Sequence, residues 1–265
     1  MTQLGAQMYT VREYTKNTKD LLETFAKLKG IGYDAVQVSA IGADIPVEAV
    51  AEGLKENGLV CAATHIGFDD CRKDLDAVIA KHKAWGCQYV GVGSMPDEYR
   101  ADASGFERFA REASDVADAL AREGLKFVYH NHNFEFRKLD GKLGMDILFE
   151  NSSPNFQFEI DTFWVQRGAG DVRRWIDKVR GRMDVVHFKD MALTDACEQR
   201  MAYIGEGNLD WDGIIAACRD IGVKWFLIEQ DDCQGRDPFA CLKASREFLA
   251  DKGVKYRGGG TRFLS

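Results

Sequence analysis

The chain has 265 residues and a mass of 29.7 kDa, and with 45% hydrophobic residues it can build one large core, which α/β barrels of this length usually form as a single domain. A formal net charge of -7 and a pI near 5.4 argue against affinity gained by neutralising phosphates, so no nucleic-acid partner is expected. No run approaches the roughly 18 apolar residues that span a bilayer, and "MTQLGAQMYTVREY" lacks the apolar segment of a signal peptide; the expectation is a cytoplasmic protein with no membrane partner.

Along the chain, short apolar runs bounded by Gly or polar residues alternate with amphipathic stretches, the pattern of βαβ units and a parallel sheet. The predicted strands are "LGAQMYT" from Leu4, "AVQVSA" from Ala35, "VCAATHIG" from Val60, "YVGVGS" from Tyr89, "KFVYHNH" from Lys126, "FQFEIDTF" from Phe156, "DVVHFKD" from Asp184 and "WFLIEQD" from Trp225. Between the first two, "NTKDLLETFAKLKGIGY" places Leu21, Leu22, Phe25 and Leu28 on one stripe and predicts a helix that stops at Gly30. "PVEAVAEGLKENGL", "DLDAVIAKHKAWGC", "GFERFAREASDVADALAREGL" and "DGIIAACRDIGV" repeat that grammar, the last with Asp210 marking the helix start. Eight strands alternating with helices in about 250 residues fit a single (β/α)₈ TIM barrel covering residues 1–265, with a tail from about residue 253 that includes "YRGGGTRFLS". A doubly wound open sheet would carry a Gly-rich phosphate loop after its first strand, and "QMYTVRE" is not one.

In such a barrel the active site lies at the C-terminal strand ends. That filter selects Gln7, His65, His130, His132, Asp161, His187, Lys189, Glu229 and Asp231. Residues two apart on a strand share a face, so Glu159 follows Asp161, Lys189 follows His187, and His130 pairs with His132. Imidazoles from the fifth and seventh strands and carboxylates from the sixth and eighth therefore converge, a first shell suited to a borderline divalent cation. His82, mid-helix, reads as structural. The seven cysteines are odd in number and show no C-x-x-C spacing, so reduced thiols are expected rather than a disulfide frame or zinc knuckle. Trp175 and Trp211 are candidates for an interface between copies or for helix-to-barrel contacts, and a homo-oligomer remains open.

"YHNHNFEF", "EIDTFWV", "VVHFKDM", "IGEGNLDW" and "LIEQDD" together resemble the bacterial sugar phosphate isomerase/epimerase family with the xylose-isomerase-like TIM barrel. The resemblance runs from Leu4 to about Leu249. It implies one divalent metal (Mn, Co, Zn, Fe or Mg), with Asp161, His187 and Glu229 matching three of the family's ligands. Where ketose epimerases of this superfamily place a first Glu, this chain has "HNH"; His130 is the expected substitute and His132 the alternative.

The expected activity is isomerisation or epimerisation of a keto sugar or sugar derivative, by proton abstraction next to a metal-polarised carbonyl through an enediolate. Glu229 and His132 are the candidate bases, and Lys189 would stabilise charge unless it is spent on an ion pair with Asp190 or Asp231. Gln7, His65, Asn133, Glu135, Trp164 and Glu206 are the expected contacts of a small carbohydrate substrate. Because the His departure weakens a two-glutamate epimerisation, the alternative is a lyase or dehydratase acting by β-elimination on a 3-keto glycoside or keto-inositol. A non-catalytic sugar-binding barrel is the third reading. An AP endonuclease, similar in fold, would need more histidines for its zinc cluster than the five present here.

Overall fold

The computed structural model describes residues 3–254, so the segment 256–265, read above as a tail, lies outside the described residues. All eight predicted strands form: β1 (Gln3–Gln7), β2 (Ala35–Val38), β3 (Val60–Thr64), β4 (Tyr89–Val92), β5 (Lys126–His130), β6 (Phe156–Asp161), β7 (Val185–Phe188) and β8 (Trp225–Ile228). They run parallel in the order β3-β2-β1-β8-β7-β6-β5-β4, a nearly closed TIM barrel. Each strand is almost wholly buried, because helices cover the outside while side chains fill the inside; that is why the strands read as continuous apolar runs rather than as alternating ones.

Around the barrel lie α1 (Thr18–Ile31), α2 (Val47–Glu56), α3 (Phe68–Lys73), α4 (Leu75–Ala84), α5 (Ala103–Arg122), α6 (Gly144–Asn151), α7 (Thr162–Arg167), α8 (Val172–Lys178), α9 (Trp211–Asp220) and α10 (Pro238–Asp251). Asn17 caps α1 by accepting from the Asp20 amide. That helix ends two residues later than the sequence predicts: Gly30 is inside it, and the left-handed residue is Gly32, at φ 103°. Asp210 caps α9 as read, accepting from Gly213 N–H. Trp175 and Trp211 are buried, not exposed. The Trp175 ring packs edge-on to Phe136 at 5.6 Å, and the Trp211 indole N–H donates to Asp190 Oδ2 at 2.8 Å, so both join helices to the barrel and offer no interface between copies. No described helix is long and apolar enough to cross a membrane.

The barrel closes at the seam between β3 and β4, where an isolated bridge links Ile66 to Val92 and Ile66 N–H donates to Gly91 O at 2.8 Å. Gly91 permits that approach, since a Cβ there would lie 2.0 Å from the Thr64 carbonyl oxygen. His82, on α4, buttresses the seam from outside. Its Nδ1–H donates to Val78 O at 2.7 Å, which leaves Nε2 to accept from the Thr64 hydroxyl at 2.7 Å.

Burial holds the His82 pKa down to about 4 from its ordinary 6.5, and Lys81 adds to the effect. The unfolded chain therefore binds a proton that the folded protein refuses, and stability is lost as pH falls from 6.5 toward 4. The loss reaches about 3 kcal/mol at 1.4 kcal/mol per pH unit of displacement. Urea unfolding of wild type and His82→Gln at pH 7.5, 6 and 5 checks this: the gap between the two proteins should narrow as the pH drops. A gap that stays constant would rule His82 out as the source.

Candidate active site

The C-terminal ends of β5 to β8 deliver the chemistry. His130 ends β5 and Asp161 ends β6; His187 lies one residue from the end of β7, and Glu229 follows β8 directly. All four are buried, and one donor atom of each lies within 4.8 Å of the others. His130 Nε2 is 3.1 Å from Asp161 Oδ2, and His187 Nδ1 is 3.1 Å from Glu229 Oε2 and 3.7 Å from Asp161 Oδ2. Donors held about 2.0–2.2 Å from a common cation would stand roughly 3–4 Å apart, so these separations suit a divalent metal.

The protons make the same point. His130 Nδ1 lies 3.1 Å from the Gly93 carbonyl and so carries the hydrogen, which leaves the Nε2 lone pair facing an Asp161 oxygen. Burial and the neighbouring His187 keep the His130 pKa below its ordinary value despite Asp161, so the imidazole is neutral and two acceptors meet at 3.1 Å. A cation placed between them would resolve the contact.

Lys189 projects into the same group. Its Nζ is 2.6 Å from Glu229 Oε2, 3.2 Å from Asp161 Oδ2 and 2.9 Å from Asp231 Oδ1. Burial would lower its pKa, but Asp161, Asp231 and Glu229 outweigh burial and raise it well above the ordinary value, so Lys189 is an ammonium. Burial would likewise raise Asp161 and Glu229, yet Lys189 and His187 hold both well below the usual carboxylate range. Burial and the charge of Glu229 push Asp231 up to about 6. Asp190, the other partner weighed for Lys189, instead accepts from the backbone N–H groups of Gly205 and Gly207, which ties down the loop after β7.

Above the cluster opens a cavity of about 550 Å³. Its reactive wall carries His130, His132, Trp164, Lys189, Glu229 and Asp231; the opposite wall comes from the loops after β1 to β4, with Tyr9, Ser39, Ala40, His65, Gly93 and Ser94 among its residues. His132 and Trp164 rings lie 5.2 Å apart, and among the described residues neither His132 Nδ1 nor Trp164 Nε1 has a hydrogen-bond partner although both atoms are buried. Burial, His130 and Lys189 hold His132 down to about 2, so its imidazole is neutral.

Five of the sequence-derived residues therefore share the cavity with His130 and Glu229, if His65 is counted: His65, His132, Trp164 and Lys189 line it, and Asp231, selected at its strand end, joins them. Asp161 and His187 lie beneath. The remaining substrate contacts need correction. Gln7 is buried below the cavity, where its Oε1 accepts from Tyr9 N–H at 3.0 Å and its Nε2 meets His65 Nδ1 at 3.2 Å. Glu135 is fully buried: it accepts from the Tyr129 hydroxyl at 2.6 Å and from His132 N–H at 2.9 Å, so it braces the His132 loop instead of reaching a sugar. Burial pushes its carboxyl up to about 7. Asn133 points into solvent outside the cavity. Glu206 does not line the cavity and is held by Arg236 at 2.9 Å and Arg200 at 3.2 Å.

Sequence reasoning missed Gln37 and gave no role to Glu159. Glu159 Oε2 meets His65 Nε2 at 2.5 Å and its Oε1 lies 3.1 Å from His187 Nε2, while Gln37 Oε1 meets His187 Nε2 at 2.6 Å. The only available signals were Glu159 sharing a face with Asp161 and a lone amide inside "AVQVSA".

The family model for the xylose isomerase-like TIM barrel matches residues 25–252. Among solved structures, a sugar phosphate isomerase/epimerase from Parabacteroides distasonis superposes with a TM-score of 0.79 at 18% identity, covering 96% of each chain. An L-ribulose 3-epimerase gives 0.73 at 18% identity, over 98% of this chain and all of that one. The IolI protein with a bound zinc atom gives 0.70 at 15% identity, over 97% of this chain and all of that one. At these identities the likeness is one of fold. No curated protein matches the chain.

Proposed function

The chain belongs to the xylose isomerase-like TIM barrel family, and from that premise we propose that it is a divalent-metal-dependent isomerase or epimerase of a keto sugar or sugar derivative. One observation carries the reading: a neutral His130 presents a lone pair to Asp161 at 3.1 Å, next to His187 and Glu229, a contact that a shared cation relieves. The zinc in the IolI structure and the epimerase among the fold relatives support it.

His130, Asp161, His187 and Glu229 would hold the cation, which when bound would polarise a substrate carbonyl and acidify the neighbouring C–H. Glu229 then takes the proton. Its Oε2 is held by Lys189 and His187, so the other oxygen is free to approach the substrate carbon, and a carboxylate within about 3 Å is worth 10²–10⁴-fold. Lys189 stabilises the negative charge that develops on the enediolate. Trp164 and His132, which line the cavity, would pack their rings against the sugar. Returning the proton to the other carbon of the enediolate on the same face gives the isomer; an epimer would need a second group to deliver a proton to the opposite face.

Elimination shares this first step and is the second reading. It is favoured by the presence of a neutral imidazole, His132, in place of a second carboxylate beside the substrate. Product analysis separates the two, since only elimination releases water or a leaving group.

Metal content by plasma mass spectrometry is the direct test. Purified protein should carry about one Mn, Co, Zn, Fe or Mg per chain, and Asp161→Asn and His187→Ala should lose it. Protein that is metal-free and cannot be loaded would remove the metal enzyme and leave the sugar-binding barrel as the better account.

A further inference from the structure

Beside the cation cluster, side chains from β1, β2, β6 and β7 and from the residue just past β3 form a hydrogen-bonded chain whose direction can be worked out link by link. The Tyr9 backbone N–H donates to Gln7 Oε1 at 3.0 Å, so the Gln7 amide turns its NH₂ toward His65 Nδ1, 3.2 Å away. His65 Nδ1 is thereby the acceptor, and its Nε2 carries the hydrogen donated to Glu159 Oε2 at 2.5 Å. The other Glu159 oxygen accepts from Gln37 Nε2 at 3.0 Å, and that nitrogen also donates to Thr64 O at 3.3 Å. With its NH₂ committed, Gln37 presents only its carbonyl oxygen to His187 Nε2 at 2.6 Å. His187 Nε2 must therefore carry a hydrogen, and Nδ1 is left for the Asp161 and Glu229 side. Gln7, Gln37, Glu159 and His187 are fully buried, so water offers no competing partner and each assignment fixes the next.

We propose that Gln37 and Glu159 are positioning residues that lock the His187 ring and its tautomer so that Nδ1 is the cation-binding nitrogen. The proposal rests on the metal-centre reading above. It assigns a role to a carboxylate that the chemistry does not otherwise use. Glu159 also lies near His65 and His187 in a geometry resembling a second cation site, but His187 cannot serve both: its Nε2 hydrogen is already donated to Gln37. Glu159 is accordingly the acceptor at the centre of the chain rather than a ligand.

The test uses Gln37→Leu, which removes both links at nearly constant volume, and Gln37→Glu, which keeps an oxygen toward His187 but loses the donor to Glu159. Co²⁺ affinity is read by competition with a chromophoric chelator, and the visible spectrum of bound Co²⁺ reports on the coordination sphere. Outer partners of this kind are worth 10–100-fold in metal affinity, so both variants should bind Co²⁺ at least about tenfold more weakly, with an altered spectrum. In parallel, ¹⁵N-labelled histidine spectra of the protein without metal should show the His187 Nε2–H in a fixed hydrogen bond in wild type, and its loss in Gln37→Leu. If either variant folds and binds Co²⁺ within twofold of wild type with an unchanged spectrum, the proposal is overturned. If wild type binds no Co²⁺, the metal enzyme fails instead, and the ¹⁵N spectra still decide: an Nε2–H signal that persists unchanged in Gln37→Leu overturns the positioning role. Should Gln37→Leu fail to fold, Gln37→Met, which likewise offers His187 no oxygen, carries both readings.

Discussion

Replacing Glu229 by Gln is expected to lower kcat by about three orders of magnitude or more, the range lost when a general base in a buried site is removed. The amide copies the shape of the carboxylate and can still meet Lys189 through its oxygen, so the fold and the cavity survive. What it cannot do is accept a proton from carbon. Assays at saturating metal separate this role from ligation: if the loss in kcat persists after metal occupancy is restored, and solvent deuterium no longer enters the substrate next to the carbonyl, Glu229 is the base. Retention of kcat within tenfold would transfer that role to His132, which lines the same cavity.

The second large effect is on stability. Lys189 is 1% exposed in its side chain and lies within 3.2 Å of three carboxylates, from Asp161, Glu229 and Asp231. Removing one partner of a buried ion pair leaves the other charge uncompensated, which costs about 3–5 kcal/mol. Lys189→Met should therefore unfold at a markedly lower temperature than wild type when both are held in chelator. Adding a divalent cation should return more stability to the variant than to wild type, because the metal then supplies the only local positive charge beyond the imidazoles. Equal melting temperatures in chelator would mean that the carboxylates have taken up protons instead, and the electrostatic account of the site would fall.

Much of the architecture was legible because a parallel barrel imposes its own grammar. Each strand is covered on both faces and reads as an apolar run, and the rule that chemistry sits at C-terminal strand ends picked out Asp161, His187 and Glu229 without any knowledge of pairing. What stayed hidden depends on contacts between distant segments. Glu135 follows a pair of histidines and reads as a loop residue over the substrate; only the Tyr129 hydroxyl and the His132 amide draw it inside. Glu206, between two glycines, has the look of a ligand contact, yet Arg200 from the hairpin strand Gln199–Ala202 and Arg236 from the loop before α10 claim it. Gln37 sits in an apolar strand, where a single amide gives no period and no motif. The stop of α1 was misplaced because two glycines, Gly30 in its last turn and Gly32 just past its end, compete for the role, and only the backbone shows which of them adopts the left-handed conformation.

The two walls of the cavity divide the work in a way that bears on how this protein could change over time. Every residue proposed to hold a cation or move a proton comes from the second half of the barrel, whereas the facing wall carries small, uncharged side chains such as Ser39, Ala40 and Ser94 on separate loops. Substitutions on that wall alter the shape offered to a substrate while leaving the reactive groups in place. On the proposed function, one half of the chain would act as an inherited engine and the other as an exchangeable fitting, so drift in the first four loops would retarget the barrel to a new substrate without the chemistry having to evolve again.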